Sequence, residues 1–481
     1  MSQARHDEVR RATRWGGLEI GIRYALQFGV MIALARLVDP AAFGIVAMVM
    51  VFTALGTVFV DSGTGMALIQ RQHTTDDEET STFIVNVAIS MLACLALIAC
   101  AKPIAAFYGR PELVPICIAL SVVFPLNGLA VVPDALLTQR LRFELRTRVE
   151  LGSSLLAGAI AIGGAWMGWG VWALVWQAIA SIGSRTVMLY LVSGWRPRGR
   201  FRGQAARSIT SFGGYMLAAG LIDTAYTRLQ AVLIGRLFSA GDLGQYTLAL
   251  NTQQAPASFA ASILNRLGLP LLSSVRDDLV EARRTLRTAL RLSLFAFMPA
   301  MAVLAVLAVP IVRIVYGSRW AAAGELLAIL ALGAVPWPAH VLNLVAMNSQ
   351  GHPRLVFRVE VVKKSIAVAL LLAAAPFGLA AIAWSTVATS FIALGLNAYF
   401  AGRIMGHGLP QQAADLGMAA VPALGAAGAA LFCRLTFGES LGGTAAGLLA
   451  AGLATVAIGT AIRHPAISGF IQLLRTTRHE S

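Results

Sequence analysis

The 481-residue sequence contains few charged residues. Asp, Glu, Lys and Arg together make up 13% of the chain, about half of the ~25% that is usual in soluble domains. Hydrophobic residues make up 57%, and the mean hydropathy is +0.72. This composition excludes an ordinary soluble protein. Many windows of about 18–25 residues are poor in charge and long enough to cross roughly 30 Å of hydrocarbon as a helix, which predicts an integral membrane protein.

Cysteine and enzyme motifs are also scarce. The four cysteines, Cys94, Cys100, Cys117 and Cys433, lie in or near apolar segments and lack the spacing of metal ligands. We therefore assign them to packing. The sequence has no Walker loop, no GxSxG, no HExxH and no acidic pair on a large external loop. We expect neither an enzyme nor a metal or organic cofactor.

Acidic residues are fewer than basic ones, with 23 Asp and Glu and 38 Lys and Arg. Only three of the basic residues are lysine. In a soluble protein the formal charge of +15 would suggest nucleic acid. In a membrane protein, arginines in cytoplasmic loops set the topology and contact anionic headgroups. We therefore expect membrane lipids, and no nucleic acid, as partners.

Fourteen stretches are candidates for membrane helices. They cover residues 15–37, 41–69, 81–101, 112–137, 150–168, 170–193, 211–237, 242–273, 288–312, 321–349, 359–376, 378–402, 412–437 and 441–462. On alternate loops, 26 basic residues fall on the side that holds both termini and six on the other. The positive-inside rule then predicts cytoplasmic termini. The polar, basic first fifteen residues fit a cytoplasmic tail rather than a cleaved signal sequence.

Three cytoplasmic segments have their own patterns. Residues 138–149 and 275–291 carry apolar residues at helical spacing among arginines. They are expected to form amphipathic helices on the inner leaflet. Residues 194–210 are polar and contain glycine, which is typical of a linker.

The sequence repeats itself across that linker. Segments 34–59 and 234–259 share four identities without a gap, which are Arg36 with Arg236, Leu37 with Leu237, Gly44 with Gly244 and Phe59 with Phe259. In both segments an apolar helix ends at Arg-Leu and a new helix follows a short polar turn. Asp39 and Pro40 begin the first new helix, and Ser239 or Asp242 caps the second. Further matches, such as Tyr108-Gly109 with Tyr316-Gly317, continue the repeat.

Six helices precede the linker, so the two copies enter the membrane in the same orientation. This predicts a parallel repeat with binding between the halves. We expect an N-terminal six-helix lobe at 1–200, a C-terminal six-helix lobe at 201–405, and an extra helix pair with a cytoplasmic tail at 406–481.

Ionisable residues inside the predicted spans are candidates for function, because each costs at least about 2.5–3.5 kcal/mol at the centre of a membrane helix. They are Glu19, Arg23, Asp61, Arg185, Asp223, Arg228 and Arg266. If the repeat holds, the charges of the first two helices of each half are equivalent. This equivalence predicts a polar cavity between the halves.

Simpler roles remain open for several of these residues. Glu19 and Arg23 are four residues apart and can neutralise each other. Arg185 lies eight residues from the cytoplasmic end of its helix and can extend its guanidinium to the interface. The polar run 251–254 supplies either hydrogen bonds at membrane depth or contacts between helices.

Three sequence blocks carry a resemblance to a known family. They are RLVDPAAFGIVAMVMVFTALGTVFVDSGTGMALIQRQ, AAFYGRPELVP and the GVWALVWQ start of the sixth helix. The chain resembles bacterial Wzx-type polysaccharide flippases, in the lipopolysaccharide and exopolysaccharide branch of the multidrug/oligosaccharidyl-lipid/polysaccharide (MOP) exporter superfamily. The resemblance implies an all-α integral membrane fold of about 14 helices. Two parallel six-helix repeats would form a MATE-like V, with a C-terminal helix pair added.

The resemblance also implies a substrate and its binding residues. Cationic side chains on the first two helices of each lobe would meet a diphosphate, a role that falls here to Arg23, Arg228 and Arg266, with Arg185 as a further candidate. The substrate would be an undecaprenyl-diphosphate-linked oligosaccharide, either a lipopolysaccharide O-unit or an exopolysaccharide repeat. It would cross the bacterial inner membrane by alternating access. Pathway partners would include a polymerase and a chain-length regulator.

Because the sequence has no ATP site, the energy would come from an ion gradient or from the gradient of the substrate. Glu19, Asp61 and Asp223 are the candidate protonation sites.

Three other functions compete with this interpretation. A drug/cation antiporter of the same fold would favour an acidic or aromatic cavity, whereas these arginines point to an anion. A membrane glycosyltransferase, O-antigen ligase or polymerase needs catalytic residues on sizeable external loops, which are missing from this sequence. A structural scaffold would have no use for charges inside spans.

Overall fold

The computed structural model describes residues 22–23, 25–61, 63–71, 74–275 and 277–464. The side chains of 204–216, 218–219, 259, 261–263 and 265–271 lie outside the description as well. All regular structure in the described residues is helical. The chain divides into two compact units, unit 1 at Met1–Thr247 and unit 2 at Leu248–Ser481. The division predicted near residue 200 stays a prediction.

Unit 1 contains nine complete helices and the start of a tenth, within its described residues. They are α1 (Ala25–Leu37), α2 (Pro40–Asp61), α3 (Thr64–Gln70), α4 (Asp76–Tyr108), α5 (Leu113–Ser121), α6 (Val123–Gln139), α7 (Phe143–Trp166), α8 (Val171–Ser193), α9 (Gly203–Leu237) and α10 (Ala240–Ser274), which continues into unit 2. Arg23 is helical and lies just before α1.

Unit 2 is built around one long helix. Its helices are α11 (Leu279–Val315), α12 (Ala321–Ala334), α13 (Trp337–Ser349), α14 (Pro353–Ala374), α15 (Leu379–Met405), α16 (Leu409–Phe437) and α17 (Leu441–Ala461), with 3₁₀ turns at Ser318–Trp320 and Ala375–Phe377. Helix α11 packs against α12, α13, α16 and α17. Leu307 of α11 and Ala426 and Ala430 of α16 share a buried cluster.

Ten helical segments in the described residues are long and apolar enough to cross a membrane. They are Pro40–Gln70, Asp76–Tyr108, Leu113–Gln139, Phe143–Trp166, Val171–Ser193, Leu279–Val315, Ser318–Ser349, Leu379–Met405, Leu409–Phe437 and Leu441–Ala461. The sequence therefore predicted the all-helical membrane class correctly. The count of fourteen spans and the parallel repeat stay predictions.

The expected surface helices at 138–149 and 275–291 are wrong. Residues 143–149 form the first turns of α7, and residues 279–291 form the first turns of α11. Arg146 on α7 forms ion pairs with Glu150 on the same helix and with Asp134 on α6. Because its charge is paired, it is compatible with a helical turn. Helix α11 starts where the Asp278 side chain accepts hydrogen bonds from the N–H groups of residues 280 and 281.

The two copies of the repeated turn meet inside unit 1. Helix α2 begins at Pro40, and Ser239 caps the first turn of α10 by accepting from the Asp242 N–H at 3.0 Å. A Cβ added at Gly44 would overlap the carbonyl oxygen of Ala240, and one added at Gly244 would overlap that of Pro40. The first turns of α2 and α10 thus touch backbone to backbone, at positions that the repeat makes equivalent.

The predicted linker is a fixed structure in its first part. Residues 194–202, which we call the strap, run across the N-terminal turn of α4. Its bonds go from Trp195 Nε1 to Glu79 Oε2 (2.6 Å), from Gly199 N to Thr80 Oγ1 (3.0 Å), from Arg200 N to Asp77 Oδ1 (2.7 Å) and from Arg202 N to Ser81 Oγ (2.9 Å). A Cβ at Gly199 would overlap the carbonyl of Asp76. The strap leads directly into α9.

Candidate functional site

A line of alternating charges crosses unit 1, and we call it the charge row (Arg23, Glu150, Arg146, Asp134 and Arg185). Arg23 donates to Glu150 Oε2 on α7 at 3.3 Å, and Arg146 Nε lies 3.7 Å from Glu150 Oε1. The same Nε donates to Asp134 Oδ1 on α6 at 3.0 Å, while Arg185 NH2 on α8 lies 3.0 Å from Asp134 Oδ2. The row therefore links the segment before α1 to three helices.

Helical spacing places these groups together. Arg146 and Glu150 are four residues apart on α7 and so share one face of that helix. Helix α6 packs against both α7 and α8, which brings Asp134 between the two arginines. Each oxygen of the Asp134 carboxylate binds a different helix, so this side chain is the centre of the row.

The charge row is partly shielded from solvent. The exposed fraction is 20% for the Asp134 side chain and 22% for that of Arg185, and it rises to 41% at Arg23. Three guanidinium groups and two carboxylates leave a formal charge of +1. Mutual pairing offsets much of the cost of placing ions in membrane-spanning helices.

Asp61 lies next to one end of the row. It is the last residue of α2, is exposed, and has Asn127, Arg185 and Asp134 as its neighbours. The chain bends directly after it, since Gly63 takes a left-handed φ of 71° between α2 and α3.

The other predicted site residues are placed as follows. Asp223 and Arg228 are exposed on α9. The backbone of Arg266 belongs to α10, but its side chain lies outside the described residues, as does the whole of Glu19. The structure thus brings together Arg23, Arg185 and Asp61. The functional roles of all seven residues stay predictions.

Sequence reasoning missed three members of the row, Asp134, Arg146 and Glu150. Arg146 and Glu150 fell at the predicted loop boundary of 149/150, where charges are ordinary. Their spacing of four residues was a usable signal. Asp134 was a lone acid near the end of the span predicted at 112–137, and the rule that singled out Asp61 applied equally to it.

Unit 2 contains an apolar groove of about 910 Å³ between α10, α11 and α17. Its lining is Pro256, Leu292, Phe295, Ala296, Pro299, Ala300, Met301, Val303, Leu304, Ile311, Leu448, Ala451, Gly452, Thr455, Val456 and Thr460. The small residues Ala300 and Gly452 leave the space between α11 and α17 unfilled. Only two hydroxyl groups interrupt a wall that otherwise suits a hydrocarbon chain.

Comparison with proteins of known structure shows the fold. Along 92% of its length the chain superposes on 98% of a structure of the lipid II flippase MurJ in an inward closed conformation, with a TM-score of 0.77. The two sequences are 13% identical. The chain is therefore a multi-pass membrane protein with a MurJ-like arrangement of helices.

Sequence comparison shows the family. The chain is 28% identical over 324 residues to the succinoglycan biosynthesis transport protein ExoT of Rhizobium meliloti (strain 1021), covering 67% of this chain and 66% of the relative. It is 25% identical over 318 residues to the lipopolysaccharide biosynthesis protein WzxC of Escherichia coli (strain K12), covering 64% and 63%. The chain thus spans just under two thirds of the length of these relatives. Residues 33–325 match the polysaccharide biosynthesis protein family, and the chain belongs to that family.

Proposed function

We propose that this protein moves an undecaprenyl-diphosphate-linked oligosaccharide, such as a lipopolysaccharide O-unit or an exopolysaccharide repeat, across the bacterial inner membrane. The charge row is the observation that carries the proposal. Membership of the family and the names of the relatives support it. A pathway polymerase and a chain-length regulator are proposed as partners.

The arginines of the row suit a diphosphate. Guanidinium binds phosphate oxygens bidentately and keeps its charge at any physiological pH. Arg23 and Arg185 are the proposed contacts in unit 1, and Arg228 and Arg266 are further candidates. Arg146 lies between two carboxylates and instead holds the row together.

The apolar groove of unit 2 suits the polyprenyl chain of the proposed substrate. A polyprenyl chain needs only hydrophobic contact, which the walls from α11 and α17 provide. The oligosaccharide needs hydroxyl and amide partners, for which the polar run 251–254 on α10 is a candidate.

Translocation is proposed to proceed by alternating access and to be driven by a gradient. Asp61 is the candidate protonation site with a defined setting, because a negative charge there competes with an anionic ligand for Arg185. Asp223 and Glu19 remain the other candidates.

A deletion strain tests the function. We expect lipid-linked oligosaccharide to accumulate on the cytoplasmic leaflet and surface polysaccharide to be lost. Complementation with Arg23→Ala, Arg185→Ala or Arg228→Ala should restore little polysaccharide. Arg148→Ala is the matched control, since Arg148 lies on α7 near the row but pairs at the surface with Glu144, with 70% of its side chain exposed.

Full surface polysaccharide in the deletion strain would contradict the proposed function. Complete rescue by all three arginine variants would contradict only the assigned site.

A further inference from the structure

A proline interrupts α6 next to the centre of the charge row. Pro133 lies inside α6 and has no N–H to donate to the carbonyl of Leu129, four residues earlier. The hydrocarbon core of a membrane offers no water to pair with such a carbonyl, so leaving it without a donor is costly. Asp134 directly follows the proline. The direction of its carboxylate therefore depends on how this part of α6 is held.

Helix α8 supplies the missing donor. The Tyr190 hydroxyl donates to the Leu129 carbonyl at 3.1 Å. One turn earlier on α8, the Thr186 hydroxyl lies 2.9 Å from the Leu126 carbonyl of α6 and 2.8 Å from the Ile182 carbonyl of its own helix. Tyr190 and Thr186 are four residues apart and so share the face of α8 that packs against α6. These contacts fix the register of the two helices where the proline interrupts α6.

Arg185 lies directly beside these contacts, since it precedes Thr186 on α8. Its NH2 is 3.0 Å from Asp134 Oδ2, while Asp134 Oδ1 accepts from Arg146 Nε at 3.0 Å. The guanidinium group of an arginine carries further N–H donors in a rigid fork, so Arg185 can bind Asp134 and a phosphate at the same time. Asp134 thus sets the direction in which the remaining donors of Arg185 point.

We propose that Tyr190 is a positioning residue for Arg185. Its hydroxyl holds α6 at the proline, so that Asp134 directs the Arg185 guanidinium towards the diphosphate of the substrate. The inference rests on the proposed function and gives a role to a side chain that does not itself contact the ligand. Tyr190 acts through α6, because its hydroxyl donates to the Leu129 carbonyl.

A carbonyl freed by proline is paired by a neighbouring helix in unit 2 as well. Pro310 inside α11 has no N–H for the Val306 carbonyl, and Arg434 NH1 on α16 donates to that carbonyl at 2.8 Å. Such pairing is therefore a way of keeping proline in a membrane helix. The proline of α6 differs because the central carboxylate of the charge row follows it directly. A test of Tyr190 must separate stability from positioning.

The first measurement is the affinity of the full-length protein for undecaprenyl diphosphate, by microscale thermophoresis in nanodiscs of phosphatidylcholine. Tyr190→Phe removes only the hydroxyl group. We expect the affinity to fall about threefold to tenfold, the range that one lost hydrogen bond produces. Tyr399→Phe is the matched control, because it removes the same group from a residue of α15 that is 52% exposed.

Two further backgrounds separate positioning from stability. Pro133→Ala restores an N–H for the Leu129 carbonyl, so Tyr190→Phe should lower the midpoint of thermal unfolding less in this background than in the wild type. The affinity of the double variant should stay low, because an uninterrupted α6 no longer presents Asp134 in the direction that Arg185 requires. In the Asp134→Asn background, Tyr190→Phe should change the affinity little, since substitutions that act through one contact are not additive.

Four results would overturn the role of Tyr190. The first two are no binding of undecaprenyl diphosphate to the wild type and equal affinities for Tyr190→Phe and Tyr399→Phe. The third is wild-type affinity in the double variant Pro133→Ala/Tyr190→Phe, which would make the role of Tyr190 purely structural. The fourth is an undiminished effect of Tyr190→Phe in the Asp134→Asn background.

The deletion strain keeps this test distinct from that of the proposed function. If the role of Tyr190 fails while the deletion strain still accumulates lipid-linked oligosaccharide, the proposed function stands. If the deletion strain keeps its surface polysaccharide, the proposed function fails whatever the affinities are.

Discussion

Asp134 is the residue on which the charge row depends, because its two carboxylate oxygens bind arginines from two different helices. We expect Asp134→Asn to lower the free energy of unfolding by about 1.5–3 kcal/mol, since it weakens two charged hydrogen bonds at once. Thermal unfolding in detergent measures the effect. Glu144→Gln is the control, because 78% of that side chain is exposed. If both variants lose the same free energy of unfolding, the charge row stabilises the protein no more than an ion pair at the surface does.

His464 makes stability depend on pH. Burial, and after it the charge of Arg291, lower its pKa from 6.5 in the folded protein, so the unfolded chain binds a proton more readily. The contribution of His464 to stability is therefore present above pH 6.5 and is lost as the pH falls below it. We expect a lower midpoint of thermal unfolding at pH 5 than at pH 7.5, and a smaller difference for His464→Gln. If the midpoints at the two pH values differ by as much in His464→Gln as in the wild type, the pH dependence does not come from His464.

Sequence reasoning at the residue scale relied on one rule. An ionisable residue inside a span is costly, and that rule identified Arg23, Arg185 and Asp61, which the structure brings together. It could not identify their partners. Asp134 pairs with Arg185 from 51 positions earlier in the sequence, and Glu150 pairs with Arg23 from 127 positions later.

At the scale of helices, the first turns of α2 and α10 pack backbone to backbone at Gly44 and Gly244. A larger side chain at Gly44 must push the Ala240 backbone away, and that backbone cannot yield as a side chain tip can. We expect Gly44→Leu to abolish accumulation of folded protein, as judged by size-exclusion chromatography of a fluorescent fusion. Gly29→Leu is the matched control, since a Cβ at Gly29 meets no atom within 4 Å. A normal elution profile for Gly44→Leu would show that the two helices are free to separate.

Helix boundaries were the least predictable feature. Arginines at 140–148 and 276–287 resembled those of cytoplasmic loops, so α7 and α11 were expected to begin about eight residues too late. Charge patterning reports which side of the membrane a segment faces. It does not report where a helix starts, because a paired arginine is compatible with a helical turn.

At the scale of the whole molecule, the last two helices form part of the core of unit 2. Ala426 and Ala430 of α16 are buried against α11, and Asp415 holds Arg287 and Arg291. A chain ended after Met405 should therefore aggregate, because it exposes these surfaces and leaves the arginines without their carboxylate. A chain ended after residue 464 keeps them and should elute as a single peak. Monodisperse protein from the shorter chain would mean that unit 2 folds without its last two helices.

Composition and three motif blocks predicted the class of fold and the family, since both depend on features spread along the chain. The apolar groove in unit 2 was not predicted from the sequence. The groove lies between α11 and α17, which are far apart in the sequence, and local sequence patterns do not show which distant helices pack together.

The strap has a consequence for how the protein is made. Its hydrogen bonds join residues that are 116–123 positions apart, so the acidic turn at the start of α4 leaves the ribosome long before its partners do. Until Trp195 to Arg202 are synthesised, the side chains of Asp77, Glu79, Thr80 and Ser81 lack these four hydrogen bonds. Docking of the strap therefore requires that helices α1–α8 have already been synthesised. Mutations in the strap should delay maturation of newly made chains more than they weaken the finished protein.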